Sequence, residues 1–161
     1  HLDMEEVVTR FGLSYYHLPI TKKNKVEQEQ RQLELLKEHR VDLVVLARYM
    51  QILSEDFVSH YPQRVINIHH SFLPAFVGAA PYRQAFERGV KVIGATAHYV
   101  TAELDAGPII AQDVIPVDHS FTSRQMAQAG RDVEKIVLAK AVRLVLEDRI
   151  FVHSGRTVVF S

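Results

Sequence analysis

The sequence has no cysteine in 161 residues, which removes disulfides, thiolate zinc sites and cysteine nucleophiles together and fits a reducing compartment. It has no excess charge of either sign: nineteen Lys and Arg balance nineteen Asp and Glu, for a formal charge of zero. A partner held mainly by phosphate neutralisation, a nucleic acid or an anionic membrane surface, is therefore not expected. No apolar run approaches the ~20 residues that span a bilayer and no signal-peptide pattern opens the chain, so the expected address is the cytosol. Internal repeats, low-complexity tracts and linkers are absent. So are the phosphate-binding patterns G-x-G-x-x-G and G-x-x-x-x-G-K-S/T, the G-x-S-x-G elbow of serine hydrolases, and H-E-x-x-H or another zinc spacing.

What is present is ordinary globular composition, with 47% hydrophobic and 24% charged residues, and a length that suits one domain with one sizeable core. Apolar spacing predicts helices over 2–11, 26–39, 82–88 and 122–147, with a further helix capped by Ser54 and ending before Pro62. The longest of these places Val133, Ile136, Val137, Ala141, Leu144 and Val145 on one broad face. Strands are expected over 15–20, 41–46, 64–69, 90–100 and 109–117, with two short ones at Val152 and 157–160. Residues 71–81, with Pro74, Gly78 and Pro81, read as a surface loop. Strands alternating with helices point to an α/β layered fold with a largely parallel sheet.

Ligands in such sheets bind beyond strand ends, and two ends carry suitable chemistry. In Val65-Ile66-Asn67-Ile68-His69-His70-Ser71-Phe72-Leu73-Pro74 a strand runs into a Pro-containing loop. Side chains alternate along a strand, so Asn67 and His69 share a face while Ile66, Ile68 and His70 point the other way. In Gly94-Ala95-Thr96-Ala97-His98-Tyr99-Val100 the strand leads to a loop presenting Asp105. An amide, an imidazole and a carboxylate together suit hydrolysis or transfer of an acyl group without a metal. The Asn67 N–H can stabilise the oxygen of a carbonyl becoming tetrahedral, a role worth about 10²–10³ in rate. His69, protonated, can supply the proton a departing amine requires, and Asp105 can hold His69 cationic and accept a proton from attacking water.

Each of these residue types also has an ordinary structural use. A strand-end Asn satisfies turns through its side chain, His98 and His119 suit structural or surface positions, and Asp before Ala-Gly-Pro is a common turn residue. Nine histidines invite a metal, but the adjacent His69 and His70, on opposite faces, would not ligate one ion together. No metal is expected.

Taken in order, Asn67-Ile68-His69-His70-Ser71-Phe72-Leu73-Pro74, Gly94-Ala95-Thr96-Ala97-His98-Tyr99-Val100 and Leu104-Asp105-Ala106-Gly107-Pro108-Ile109-Ile110 resemble the signature blocks of the folate-dependent formyltransferase family. The His69-His70-Ser71-Phe72 form, Ala97-His98-Tyr99, Arg131-Asp132-Val133-Glu134 and Thr157-Val158-Val159-Phe160 resemble its hydrolytic branch, over essentially the whole chain. The resemblance implies a three-layer, Rossmann-like formyltransferase fold with a mostly parallel sheet. It implies hydrolysis of 10-formyltetrahydrofolate to formate and tetrahydrofolate, feeding one-carbon and purine metabolism, with Asn67, His69 and Asp105 catalytic and no cofactor besides the folate substrate. Residues 48–53, with Met50, Gln51, Ile52 and Leu53, fall on the pterin-pocket segment. Val100 and Leu104 belong to a loop closing the same pocket, His98 supports the three catalytic residues, and Gly78 joins the substrate site from its loop. A homo-oligomer is expected.

Two departures accompany the match. Phe76-Val77-Gly78-Ala79-Ala80-Pro81-Tyr82 has Val77 and Ala80 where the hydrolytic branch often carries a basic residue, so a loop contact to an anionic group is not expected from them. The resemblance also implies a strand, a helix and a second strand ahead of His1, and a small ACT-type regulatory domain before those, so residues 1–161 read as an N-terminally incomplete catalytic domain. The rival activity is formyl transfer to an amine such as glycinamide ribonucleotide or an aminoacyl-tRNA. The neutral charge disfavours tRNA, and the family's ribonucleotide phosphate site lies in a loop after the first strand, which this sequence does not contain. A folate-binding or oligomerisation module without catalysis is the remaining reading, disfavoured by the three polar residues.

Overall fold

The computed structural model describes residues 2–73 and 81–160, and its contacts divide into two units, His1–Val41 and Asp42–Ser161. In the first, a single turn of 3₁₀ helix at Leu2–Met4 runs into α1 (Glu5–Arg10), and a second helix, α2, spans Lys25–Glu38. Gly12 follows α1 at φ +70°, a backbone state that costs little without a Cβ. Ahead of α2 the Asn24 Oδ1 accepts from the Thr21 amide at 2.6 Å and its hydroxyl at 2.8 Å. The strand expected over 15–20 does not form: these residues pair with no strand among the described residues. An apolar run becomes a strand only where a neighbour takes up its backbone N–H and C=O groups.

The second unit carries β1 (Val44–Leu46), α3 (Glu55–His60), β2 (Val65–His69), α4 (Pro81–Arg88), β3 (Val92–Tyr99), β4 (Ile109–Pro116), α5 (Ser123–Leu146), β5 (Ile150–His153) and β6 (Arg156–Val159). Caps set the helix starts. The Ser54 hydroxyl accepts from the Phe57 amide at 3.1 Å to open α3, and Thr122 with Gln125 forms a reciprocal capping box at the head of α5. Four strands join in the order β1-β2-β3-β4. The α/β class expected from the sequence is present, and the sheet is mixed. β1 runs parallel to β2, joined by a crossover through α3, while β2–β3 and β3–β4 are antiparallel. A helix between two strands permits a parallel return without requiring it, and the short loop from β3 to β4 brings the chain straight back alongside. β5 and β6 form a hairpin turning at Ser154 and Gly155, both at positive φ. The Thr157 hydroxyl donates to the Ile109 carbonyl, tying the hairpin to β4.

The core shows what alternation does here. Ile66 and Ile68 of β2, Ala95, Ala97 and Tyr99 of β3, and Ile110 and Ala111 at β4 pack with Val133, Val137, Ala141 and Leu144 of α5. The two alanines leave room for the helix to lie close. Alternate positions on β2 and β3, namely Asn67, His69, Thr96 and His98, therefore turn away from α5. On α5 the buried stripe is Met126, Gly130, Val133, Val137, Ala141 and Leu144, spaced by threes and fours as one helical face requires. Ile136, expected on that face, is 63% exposed: at about 100° per residue it falls outside the arc that 133, 137, 141 and 144 share.

Removing a buried side chain from this stripe is expected to be costly. Leu144→Ala should destabilise the protein by about 2–5 kcal/mol, and Ile136→Ala by less than about 0.5 kcal/mol, as measured by urea unfolding.

Candidate active site

The antiparallel register of β2 and β3 places Asn67 directly opposite His98 and His69 opposite Thr96, all on the face turned from α5. The Asn67 Nδ2 lies 3.3 Å from His98 Nε2. His98 Nδ1 lies 2.8 Å from the Tyr99 carbonyl, which can only accept, so Nδ1 carries a proton and donates it. In the neutral ring Nε2 is then the acceptor, and it receives an N–H from Asn67. The tautomer of a buried histidine thus sets which way the Asn67 amide faces.

Asp105 arrives from the loop between β3 and β4. Both feet of the loop are tied down: the Tyr99 amide donates to the Pro108 carbonyl and the Val100 amide to the Val65 carbonyl, each at 2.9 Å. Asp105 sits at φ +53°, a left-handed conformation that Asp tolerates better than most residues. Gly107 allows the close pass that follows, since a Cβ there would lie 1.7 Å from the Tyr99 carbonyl oxygen. The outcome is one carboxylate between two imidazoles: Asp105 Oδ2 is 3.3 Å from His69 Nδ1 and Oδ1 is 3.6 Å from His98 Nε2. The three side chains are 9%, 5% and 3% exposed, so charge at this point is poorly screened by water.

Thr96 secures the chain just beyond the histidines. Its fully buried hydroxyl donates to the Ser71 carbonyl at 2.9 Å and accepts from the Leu73 amide at 3.0 Å. Gln112 of β4 donates to the same hydroxyl at 2.9 Å and to the Leu73 carbonyl at 3.1 Å. Residues 71–73 are thereby fastened to β3 and β4.

Asn67, His69, His98 and Asp105 line a cavity of about 250 Å³, together with Met50, Gln51, Ile52, Leu53, Val100 and Leu104. Met50, Ile52 and Leu104 are each more than half exposed and Leu53 is 5% exposed, which gives an apolar mouth beside a buried polar end, a combination suited to a partly apolar ligand with one reactive group. Gly78 lies outside the described residues. His70 is where alternation misled: it was expected on the opposite face from His69, yet it lines the cavity and its ring stacks on that of His69 with centroids 5.4 Å apart. β2 ends at His69, so the period-two rule stops one residue too early to govern His70. Among the described residues no group of three or more His, Asp and Glu could hold a metal ion, and no helix is long and apolar enough to cross a membrane.

Residues 8–142 match the protein-family description "Formyl transferase". The chain belongs to the formyl transferase family. It is 57% identical over 161 residues to the formyltetrahydrofolate deformylase of Synechocystis sp., covering all of this chain and 56% of that protein. The crystal structure of a formyltetrahydrofolate deformylase from Pseudomonas syringae superposes with a TM-score of 0.97 at 54% identity, covering 100% of this chain and 54% of that one. Glycinamide ribonucleotide transformylase 1 from Symbiobacterium toebii superposes at 0.89 with 34% identity, covering 97% and 74%. The chain spans about half the length of the deformylases it matches, and the resemblance read from its sequence blocks is borne out at the level of the family.

The His98 tautomer is directly measurable. Long-range ¹H–¹⁵N spectra of the imidazoles should show the neutral form of His98 protonated at Nδ1; a neutral form protonated at Nε2 instead would mean that the Asn67 amide is turned around.

Proposed function

We propose that this chain carries the catalytic site for hydrolysis of 10-formyltetrahydrofolate to formate and tetrahydrofolate. The observation that carries the reading is the Asp105 carboxylate held between His69 and His98 with the Asn67 amide fixed beside them. Water attacks the formyl carbon while Asp105 takes a proton from it, and a C–O bond forms. The carbonyl oxygen gains negative charge, which an Asn67 N–H stabilises. Collapse breaks the bond from carbon to the folate nitrogen, and His69, cationic from its pairing with the Asp105 carboxylate before attack, delivers a proton to that nitrogen. The proton taken by Asp105 passes to His69, the formic acid gives up its own to solvent, and formate and tetrahydrofolate leave with one water consumed.

Each catalytic group in this scheme is a side chain of the chain itself, so the folate enters as substrate and no metal or cofactor is added. The pterin ring suits the mouth formed by Met50, Ile52, Leu53, Val100 and Leu104, with Gln51 and backbone groups available to its edge and Gly78 assigned to the same site from its loop. His98 is a positioning residue, acting through Asn67 and Asp105. The partner is thus a small folate; neutral charge speaks against nucleic acid and membrane surfaces, and a sequence without cysteine fits the cytosol as the place of action. Exposed Phe151, Val158 and Phe160 on and beside the β5–β6 hairpin support assembly as a homo-oligomer.

The deciding measurement is formate release from 10-formyltetrahydrofolate with no amine present, using the chain at its full natural length. Release that requires glycinamide ribonucleotide or another amine would make the protein a transferase. Asp105→Asn should lower kcat at least about a hundredfold while folate affinity changes little; undiminished turnover would remove Asp105 from the reaction. Treatment with a chelator is expected to leave turnover unchanged.

A further inference from the structure

His70 has no part in the reaction as written, yet its half-buried ring lies against that of His69 with planes inclined by only 25°. The Tyr82 ring of α4 packs against His70 in turn, centroids 6.1 Å apart and planes at 43°. Tyr82 is itself held twice by α5. Its hydroxyl donates a 2.6 Å hydrogen bond to Glu134 Oε1. Its ring also occupies the notch left by Gly130, where an added Cβ would fall 2.0 Å from Tyr82 Cζ. Gly130 and Glu134 are four residues apart, so a single turn of α5 offers both the notch and the acceptor. Burial, and after it the Glu134 carboxylate, pushes the phenol pKa up, and the hydroxyl remains a donor.

The His70 ring is placed to restrain that of His69. Rotation about the last torsion of an imidazole is soft, and its 3.3 Å approach to Asp105 is longer than the about 2.7–2.9 Å of a tight charge-assisted hydrogen bond. A flat neighbour stacked on the ring, and itself backed by Tyr82, adds a constraint on the ring plane to the one that Asp105 gives. His70 and the block Arg131-Asp132-Val133-Glu134, neither of them used by the reaction, meet through Tyr82.

We propose that Glu134 and Tyr82 are positioning residues that hold the His70 ring in place, and that His70 fixes the plane of His69 so that its Nδ1 faces Asp105. The inference rests on His69 being the proton donor of the reading above.

The test combines steady-state kinetics with imidazole ¹H–¹⁵N spectra, on the chain at its full natural length. His69→Ala should lower kcat by about 10²–10⁴. His70→Ala and Glu134→Leu should each lower kcat by about tenfold to a hundredfold with KM changed less than about twofold, and should shift the His69 Nδ1–H signal. His70→Phe, which keeps a flat ring, and Glu134→Gln, which keeps an acceptor for the Tyr82 hydroxyl, should recover most of the loss. If His69→Ala is impaired while His70→Ala and Glu134→Leu keep parental kcat and spectrum, the positioning role is wrong and the reaction stands. If His69→Ala keeps its turnover, the assignment of His69 fails and this inference goes with it. Loss of kcat that merely tracks a lowered thermal transition, with His70→Phe no better than His70→Ala, would reduce the contact to packing and overturn the proposal.

Discussion

The site depends on the register of β2 against β3. With Asn67 facing His98 and His69 facing Thr96, the same alternation that sends Ile66, Ile68, Ala95 and Ala97 into the contact with α5 sends four polar side chains to the other face. A slip of one residue in either strand would exchange the two sets, burying an amide and an imidazole against Val137 and Ala141 and exposing the aliphatic residues. Burial of an unpaired polar group costs on the order of 1–3 kcal/mol, and several would be displaced at once. Core packing on one face and the geometry of the candidate site on the other are thus enforced by one ladder of hydrogen bonds.

Asp105 joins this arrangement from outside the ladder, and its placement is a matter of loop geometry. The loop is pinned by backbone bonds at both feet, carries its functional residue in a left-handed conformation, and passes so near β3 that position 107 has no room for a side chain. Rigid strands supply the histidines and the amide, and a short constrained loop supplies the carboxylate. That division suits a residue that in the proposed reaction both faces His69 and meets a water from the cavity: strands set the distance between the imidazoles, and the loop decides how deeply the charge sits between them.

Much of this was legible in the residues. Alternation alone put Asn67 and His69 on one face, Ser54 marked a helix start through its capping chemistry, and the apolar stripe of α5 could be traced from Val133 to Val145 apart from Ile136. The misses have physical causes. Residues 15–20 have the composition of a strand, but composition says nothing about whether a pairing neighbour runs alongside. Strand direction was read from helix–strand alternation, which constrains connections more than it constrains polarity, so the antiparallel pairing of β3 with β2 was not foreseen. His70 was assigned by a period that expires where the strand does. The contact of Tyr82 with Gly130 joins residues far apart in sequence and depends on the absence of an atom, a signal that no local pattern carries.

The close pass at Gly107 separates two kinds of constraint on sequence variation. At position 105 the backbone asks for a residue that tolerates a left-handed conformation, so Asn is compatible with folding even though the proposed reaction uses the carboxylate for proton transfer. At position 107 any side chain meets the Tyr99 carbonyl before chemistry is at issue. In a library selected for folded protein alone, position 105 would drift while 107 stayed glycine; selection for turnover would hold both. The loop therefore sets, two residues apart, a demand of the fold beside a demand of the proposed reaction.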